Sequence, residues 1–164
     1  MCIMPKMLLK NKDILKKTSA ILLFLFTSLT VPLPAFAFCF NQAARAYNLP
    51  PSLVFAIAKV ESDLRPHAIN FNSNGSYDFG LMQINTCWAP ILGPYWDYLA
   101  DPCYNVMVGA WILRQCVDRY GLSWDAVSCY RTGKPYKRLT PKQKIEVENY
   151  FKRIKRALLC YPGD

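Results

Sequence analysis

Six of the seven cysteines in this 164-residue chain lie beyond residue 37, behind a stretch built for export. Lys6, Lys10, Lys12, Lys16 and Lys17 make a positive leader, and Ala20 to Val31 is an apolar run. Ala35-Phe36-Ala37 has the small-x-small form of a cleavage site. The apolar part is short for a membrane span, so residues 1–37 read as a secretory signal peptide. The alternative is an uncleaved N-terminal anchor. Bulky Phe38 ahead of Cys39 argues against a lipid anchor there. Cleavage after Ala37 leaves 38–164 as one domain, with Cys39, Cys87, Cys103, Cys116, Cys129 and Cys160 as disulfide candidates. An even count in an oxidising compartment reads as a disulfide framework holding a modest core, although the pairing stays open. No pair has C-x-x-C spacing and His67 is the only histidine, so no metal site and no cofactor are expected.

Charge is unevenly distributed over this exported part. It carries fifteen basic and ten acidic residues, a net of +5. Ten of the basic residues fall between Arg131 and Arg156, where the only acids are Glu146 and Glu148. The segment 134–164 therefore reads as a basic C-terminal helix. It is either a plain solvated face, or a contact for an anionic wall or membrane surface or for an acidic protein. An exported chain without a basic-aromatic motif is not expected to bind nucleic acid.

Periodicity and punctuation predict mostly helix. A short helix spans Asn41 to Tyr47. A second is capped by Ser52, has Leu53, Ile57, Val60 and Leu64 on one face, and ends at Pro66. Residues Ile69 to Phe79 alternate around Asn74-Gly75, a strong hairpin signal. Gly80 to Trp88 reads as a short helix or tight loop packed on that hairpin. Asp101-Pro102 opens a helix over Cys103 to Tyr120, and Ser123 opens one over Trp124 to Tyr130. Thr140-Pro141 opens the basic helix, Lys142 to Leu159, with Ile145, Tyr150, Phe151, Ile154 and Leu158 facing inward. The expected fold class is α+β, mostly helical with one small β-hairpin.

Two acids stand out against this background. Glu61 follows Ile57 by four residues, on or beside the apolar stripe of its helix. A carboxyl there has its charged form disfavoured, as a general acid near neutral pH requires. Asp78 follows a polar turn of Asn72, Ser73, Asn74 and Ser76, whose side chains are able to hydrogen-bond a carboxylate. Two carboxyls in unlike surroundings divide the roles of acid and charge stabiliser. The plainer readings are a surface Glu and an Asp that holds the hairpin.

The segment from Glu61 to Asn85 resembles two families. Glu61-Ser62 followed by Gly80-Leu81-Met82-Gln83 is similar to the signature of bacterial soluble lytic transglycosylases. Glu61-Ser62, Ala68-Ile69-Asn70, Asn74-Gly75-Ser76-Tyr77-Asp78 and Gly80-Leu81-Met82-Gln83-Ile84-Asn85 are similar to c-type lysozymes, as is the gap of 17 between the two acids. Asp101-Pro102-x-x-Asn105, Gly109-Ala110-Trp111-x-Leu113 and Tyr130-x-x-Gly133 resemble later transglycosylase motifs. Arg131 stands where that family has an asparagine, so the asparagine's role does not carry over. The basic tail lies outside the resemblance. The position of the cysteines is similar to specialised transglycosylases that accompany type III secretion, conjugation or type IV pilus systems.

The resemblance implies a lysozyme-like fold and cleavage of peptidoglycan between N-acetylmuramic acid and N-acetylglucosamine. Glu61 is then the acid and Asp78 the electrostatic stabiliser. Ser62, Gly80, Met82, Gln83, Asn85, Asn105 and Tyr130 are the expected substrate-site residues, with Ser62 or Tyr130 touching Glu61. One of Trp88, Tyr95, Trp96 and Tyr98 is expected to line the groove, with core packing as the alternative. The expected location is the periplasm at the cell wall, as a monomer, with peptidoglycan and a component of a secretion or pilus apparatus as partners. Hydrolytic muramidase activity and a non-catalytic wall-binding role are the competing functions.

Overall fold

The structure, a computed structural model, describes residues 38–163, so the leader assigned to 1–37 lies outside the described residues. Helices run over Phe40–Ala46 (α1), Pro51–Ser62 (α2), Ala89–Leu92 (α3), Pro102–Tyr120 (α4), Trp124–Thr132 (α5) and Pro141–Leu158 (α6). Three short strands, Ile69–Phe71 (β1), Tyr77–Phe79 (β2) and Ile84–Asn85 (β3), pair antiparallel in sequence order. The expected hairpin is present, and β3 extends it into a three-stranded sheet. Among the described residues no helix is long and apolar enough to cross a membrane.

Helix α2 is the axis of the domain. Val54, Ala56, Ile57 and Ala58 are fully buried, and Phe55 and Val60 nearly so. A helix apolar on most sides must be covered on most sides, and α1, α4 and α6 do this. Its start is set by Pro51 at the first helical position after an extended Pro50, where a missing N–H costs nothing. Ser52 does not cap it. Its end comes at Ser62, ahead of Pro66, because Asp63 and Leu64 both turn left-handed.

Local chemistry explains the other boundaries. Asp101 accepts from the Tyr104 N–H at 2.7 Å and opens α4. Ser123 caps α5, whose chain exits through Gly133 at φ 73°. Thr140 and Gln143 cap each other's backbone in a capping box at the start of α6. The buried face of α6 is Val147, Tyr150, Ile154 and Ala157. The expected inward position Ile145 is 64% exposed, and Phe151 and Leu158 are only partly buried. The stripe is rotated because α6 lies along α2 and must also meet α5.

Disulfides join Cys39 to Cys103 and Cys116 to Cys129, tying the start of α1 to α4 and α4 to α5. Cys87 and Cys160 are exposed and unpaired, a correction to the six-cysteine framework. Cys87 lies in the turn after β3 and Cys160 just past α6, and the fold brings neither a partner.

Candidate active site

Glu61 sits in the last turn of α2, one residue before the chain turns away. Its side chain is only 6% exposed. Burial pushes its pKa up, against the lowering effect of Arg131 and of a hydrogen bond from Tyr150; the charge of Asp78 adds to the rise. The two carboxylate oxygens have different partners. The Tyr150 hydroxyl donates to Oε1 at 2.7 Å, and Arg131 Nη1 reaches Oε2 at 3.1 Å. Arg153 donates to the carbonyl of Val60, next to the acid. The hydroxyls of Tyr130 and Tyr150 are pushed well above the usual tyrosine range by burial and by Glu61, so both stay protonated donors.

Asp78 lies at the centre of β2, opposite Asn70 on one side and Asn85 on the other. Asn85 Nδ2 donates to Oδ1 at 2.7 Å and Asn72 Nδ2 donates to Oδ2 at 3.2 Å. One amide therefore comes from the turn and one from the neighbouring strand, and together they orient the carboxylate. The turn itself is built by Asn74, which accepts from the Ser76 N–H and hydroxyl, and by Gly75 at φ 82°. This use of Asn74-Gly75-Ser76 fits its reading as a turn signal.

Several expected substrate contacts occupy other roles. Asn105 is fully buried. Its oxygen accepts from the Met82 N–H at 2.8 Å, and its amide donates to the carbonyls of Phe79 and Leu99. It pins the loop after β2 instead of facing a pocket. Gly80, at φ 81°, is required by that contact: a Cβ there would lie 2.1 Å from the Asn105 amide. Met82 is fully buried against Gly109, where a Cβ would meet its side chain at 2.5 Å. Ser62 is buried and donates to the carbonyls of Ala58 and Leu81, tying α2 to the same loop instead of orienting Glu61. Tyr130 donates to the Met82 carbonyl at 2.7 Å, neither to Glu61 nor outward.

Gln83 holds an unusual left-handed backbone, φ 51°, by donating to the carbonyls of Gly80 and Ala68. Asn70 donates to its oxygen at 2.6 Å. Asn85 serves Asp78. The motif thus works as a brace: a buried hydrogen-bonded loop fixes the end of α2 and the sheet relative to each other. Of the aromatic set, Trp88 packs on Trp111 and Trp96 on Tyr77, while Tyr95 and Tyr98 are exposed.

Arg131 and Tyr150 bind the Glu61 carboxylate and Arg153 binds the carbonyl beside it, and sequence assigns none of the three to the acid. Arg131 was set apart only as a departure from a motif. Tyr150 and Arg153 belong to the basic tail, 89 and 92 positions along the chain from Glu61, and no local pattern connects them. The tail therefore supplies two of the groups around Glu61, although it carries no motif of the resemblance. A tyrosine at a buried position of a basic helix is the one available signal, since its hydroxyl needs a partner.

Comparison with known proteins agrees with this geometry. The transglycosylase SLT domain family matches residues 38–150. The chain is 40% identical over 124 residues to Invasion protein IagB of Salmonella typhi, covering 73% of this chain and 74% of that protein. It is 37% identical over 125 residues to Protein IpgF of Shigella flexneri, covering 74% and 79%. Among solved structures, an inactive mutant of lytic transglycosylase Slt from Pseudomonas aeruginosa superposes with a TM-score of 0.54 at 21% identity. That match covers 77% of this chain and 22% of the other, and it shows the lysozyme-like transglycosylase fold. With the acid on its helix, the sheet beside it and the family match over most of its length, the chain belongs to the transglycosylase SLT domain family.

Proposed function

We propose that this chain is an exported lytic transglycosylase that cuts peptidoglycan between N-acetylmuramic acid and N-acetylglucosamine, with Glu61 as acid then base and Asp78 as stabiliser. Cleavage of peptidoglycan follows from the family. The observation that carries the residue assignment is the unlike setting of the two carboxyls. Glu61 is buried with its pKa raised, and Asp78 is held by two amides on the adjoining sheet.

Protonated Glu61 gives its proton to the glycosidic oxygen as the bond to the muramic acid C1 breaks. Positive charge grows on C1 and the ring oxygen, and the carboxylate of Asp78 opposes it. Glu61, now a carboxylate, takes the proton of the muramic acid 6-hydroxyl. That oxygen bonds to C1 and closes a 1,6-anhydro ring, with no water consumed. The presence of Asp78 favours one competing reading, a muramidase in which water resolves the intermediate.

The relatives named for invasion, together with the resemblance to apparatus-associated transglycosylases, support a role in opening the wall locally for a secretion or pilus machine. The leader supports a periplasmic location. The test is to incubate the oxidised protein, residues 38–164, with purified peptidoglycan and to read the released fragments by mass spectrometry. Anhydro-muropeptides are expected. Reducing-end products would replace the transglycosylase reading with the muramidase one, and no release would remove both.

A further inference from the structure

The two oxygens of Glu61 are not equivalent. Oε1 is bound by Tyr150, a buried residue of α6 whose hydroxyl donates to it at 2.7 Å. Oε2 is bound by Arg131, whose side chain is half exposed and engages through Nη1 alone. An acid that protonates a glycosidic oxygen must present one free oxygen bearing a proton. With Oε1 committed to Tyr150, that oxygen is Oε2, the one Arg131 covers. In the free protein the guanidinium thus stands at the working oxygen of the acid, and its permanent charge favours the carboxylate over the protonated form.

We propose that Arg131 is a substrate-released latch on Glu61: in the free protein it covers the oxygen that has to carry the acid's proton, and it transfers to a carboxylate of the stem peptide on the glycan strand. This rests on Glu61 being the acid of the proposed function. Once Arg131 leaves, the buried carboxylate has lost its nearest cation and takes a proton from solvent on Oε2. Tyr150 remains on Oε1 and keeps the group oriented. The other charged or titratable groups around Glu61 are Asp78 from β2, Tyr130 from α5 and Arg153 from α6. Asp78 opposes the ionised form, and Arg153 is engaged at the Val60 carbonyl. Arg131 is the partner free to exchange, because it meets Glu61 through a single contact with its side chain half exposed, its guanidinium 5.7 Å from the centre of the Tyr150 ring. A carboxylate is the acceptor expected, since a bidentate guanidinium–carboxylate pair in water offers more than one monodentate contact. The arrangement restrains a wall-cutting enzyme away from its wall and arms it on contact.

The test is direct because residues 38–164 contain only three glutamates, Glu61, Glu146 and Glu148. Carboxyl-labelled glutamate is followed by NMR through a pH titration in the wild type and in R131Q, with E61Q assigning the signal. The Glu61 signal is expected to titrate at higher pH in R131Q. In the wild type, a product disaccharide with its stem peptide should move the midpoint the same way, and a neutral N-acetylglucosamine oligomer should not. In cleavage assays R131Q should raise KM for peptide-bearing strands. It should also extend activity to higher pH, about tenfold above the wild type at the alkaline end when each is scaled to its own maximum. Identical titration midpoints in wild type and R131Q would overturn the latch, as would a product disaccharide that leaves the midpoint unmoved. A wild type that titrates as expected but releases nothing from peptidoglycan would count against the proposed function and leave the charge coupling standing.

Discussion

The burial of Glu61 has a cost that its replacement exposes. Its pKa is raised in the folded protein, so the native state binds that proton more tightly than the unfolded chain. Stability from this group is then full below the unfolded value near 4.5 and falls as pH rises through the folded value. Glutamine keeps the shape and an acceptor for Tyr150 without the charge. E61Q is therefore expected to abolish fragment release, by about a thousandfold or more. Its melting temperature should match the wild type at pH 4 and exceed it at pH 8, read by calorimetry. A constant difference across that range would mean that Glu61 is not desolvated. At Asp78, the D78N variant retains the size of the group and loses the charge. Cleavage is expected to fall by about a hundredfold with peptidoglycan binding retained. Loss of binding with it would assign Asp78 to the hairpin's structure instead.

At the scale of elements, the site depends on helices held together across long stretches of chain. Cys39–Cys103 spans 64 positions and Cys116–Cys129 spans 13. Loop-closure entropy makes the longer crosslink the stronger one, about 4 kcal/mol against about 3 kcal/mol. Paired Cys→Ala replacements should therefore lower the denaturation midpoint more for Cys39 and Cys103, in urea titrations followed by circular dichroism. Equal effects would show that strain or residual structure in the unfolded chain outweighs loop length. The longer bridge fixes α4, and α4 carries Asn105, which holds the loop at Met82. Its removal should thus weaken cleavage as well as stability.

For the whole molecule, net charge is +5 over residues 38–164, and six of the fifteen basic residues lie on α6. Not all of that charge is available to a partner. Arg153 is tied to the Val60 carbonyl and Lys155 lies over the Trp124 ring at 5.1 Å. Lys152 and Arg156 are exposed. A K152Q/R156Q double variant is expected to reduce co-sedimentation with peptidoglycan by several-fold at low salt, with little difference at high salt, where exposed charges are screened. Unchanged sedimentation at low salt would leave α6 as a solely structural and site-building helix.

Sequence alone determined what local chemistry controls. The helix starts at Asp101, Ser123 and Thr140, the Asn74-Gly75 turn, and the helical and strand positions of Glu61 and Asp78 are all written in short windows. Each depends on side chains within a few residues of one another. Tertiary structure decided the rest. It rotated the stripe of α6 away from Ile145, left Cys87 and Cys160 unpaired, and gave Ser62, Met82, Asn105 and Tyr130 their partners in the brace of the loop after β2. Above all it brought Arg131 and Tyr150 to opposite oxygens of Glu61. Those contacts join residues 70 and 89 positions apart, and they form because α2, apolar on nearly every side, has to be enclosed by elements from both ends of the domain. A carboxyl at the end of such a helix takes its partners from whatever packs over it.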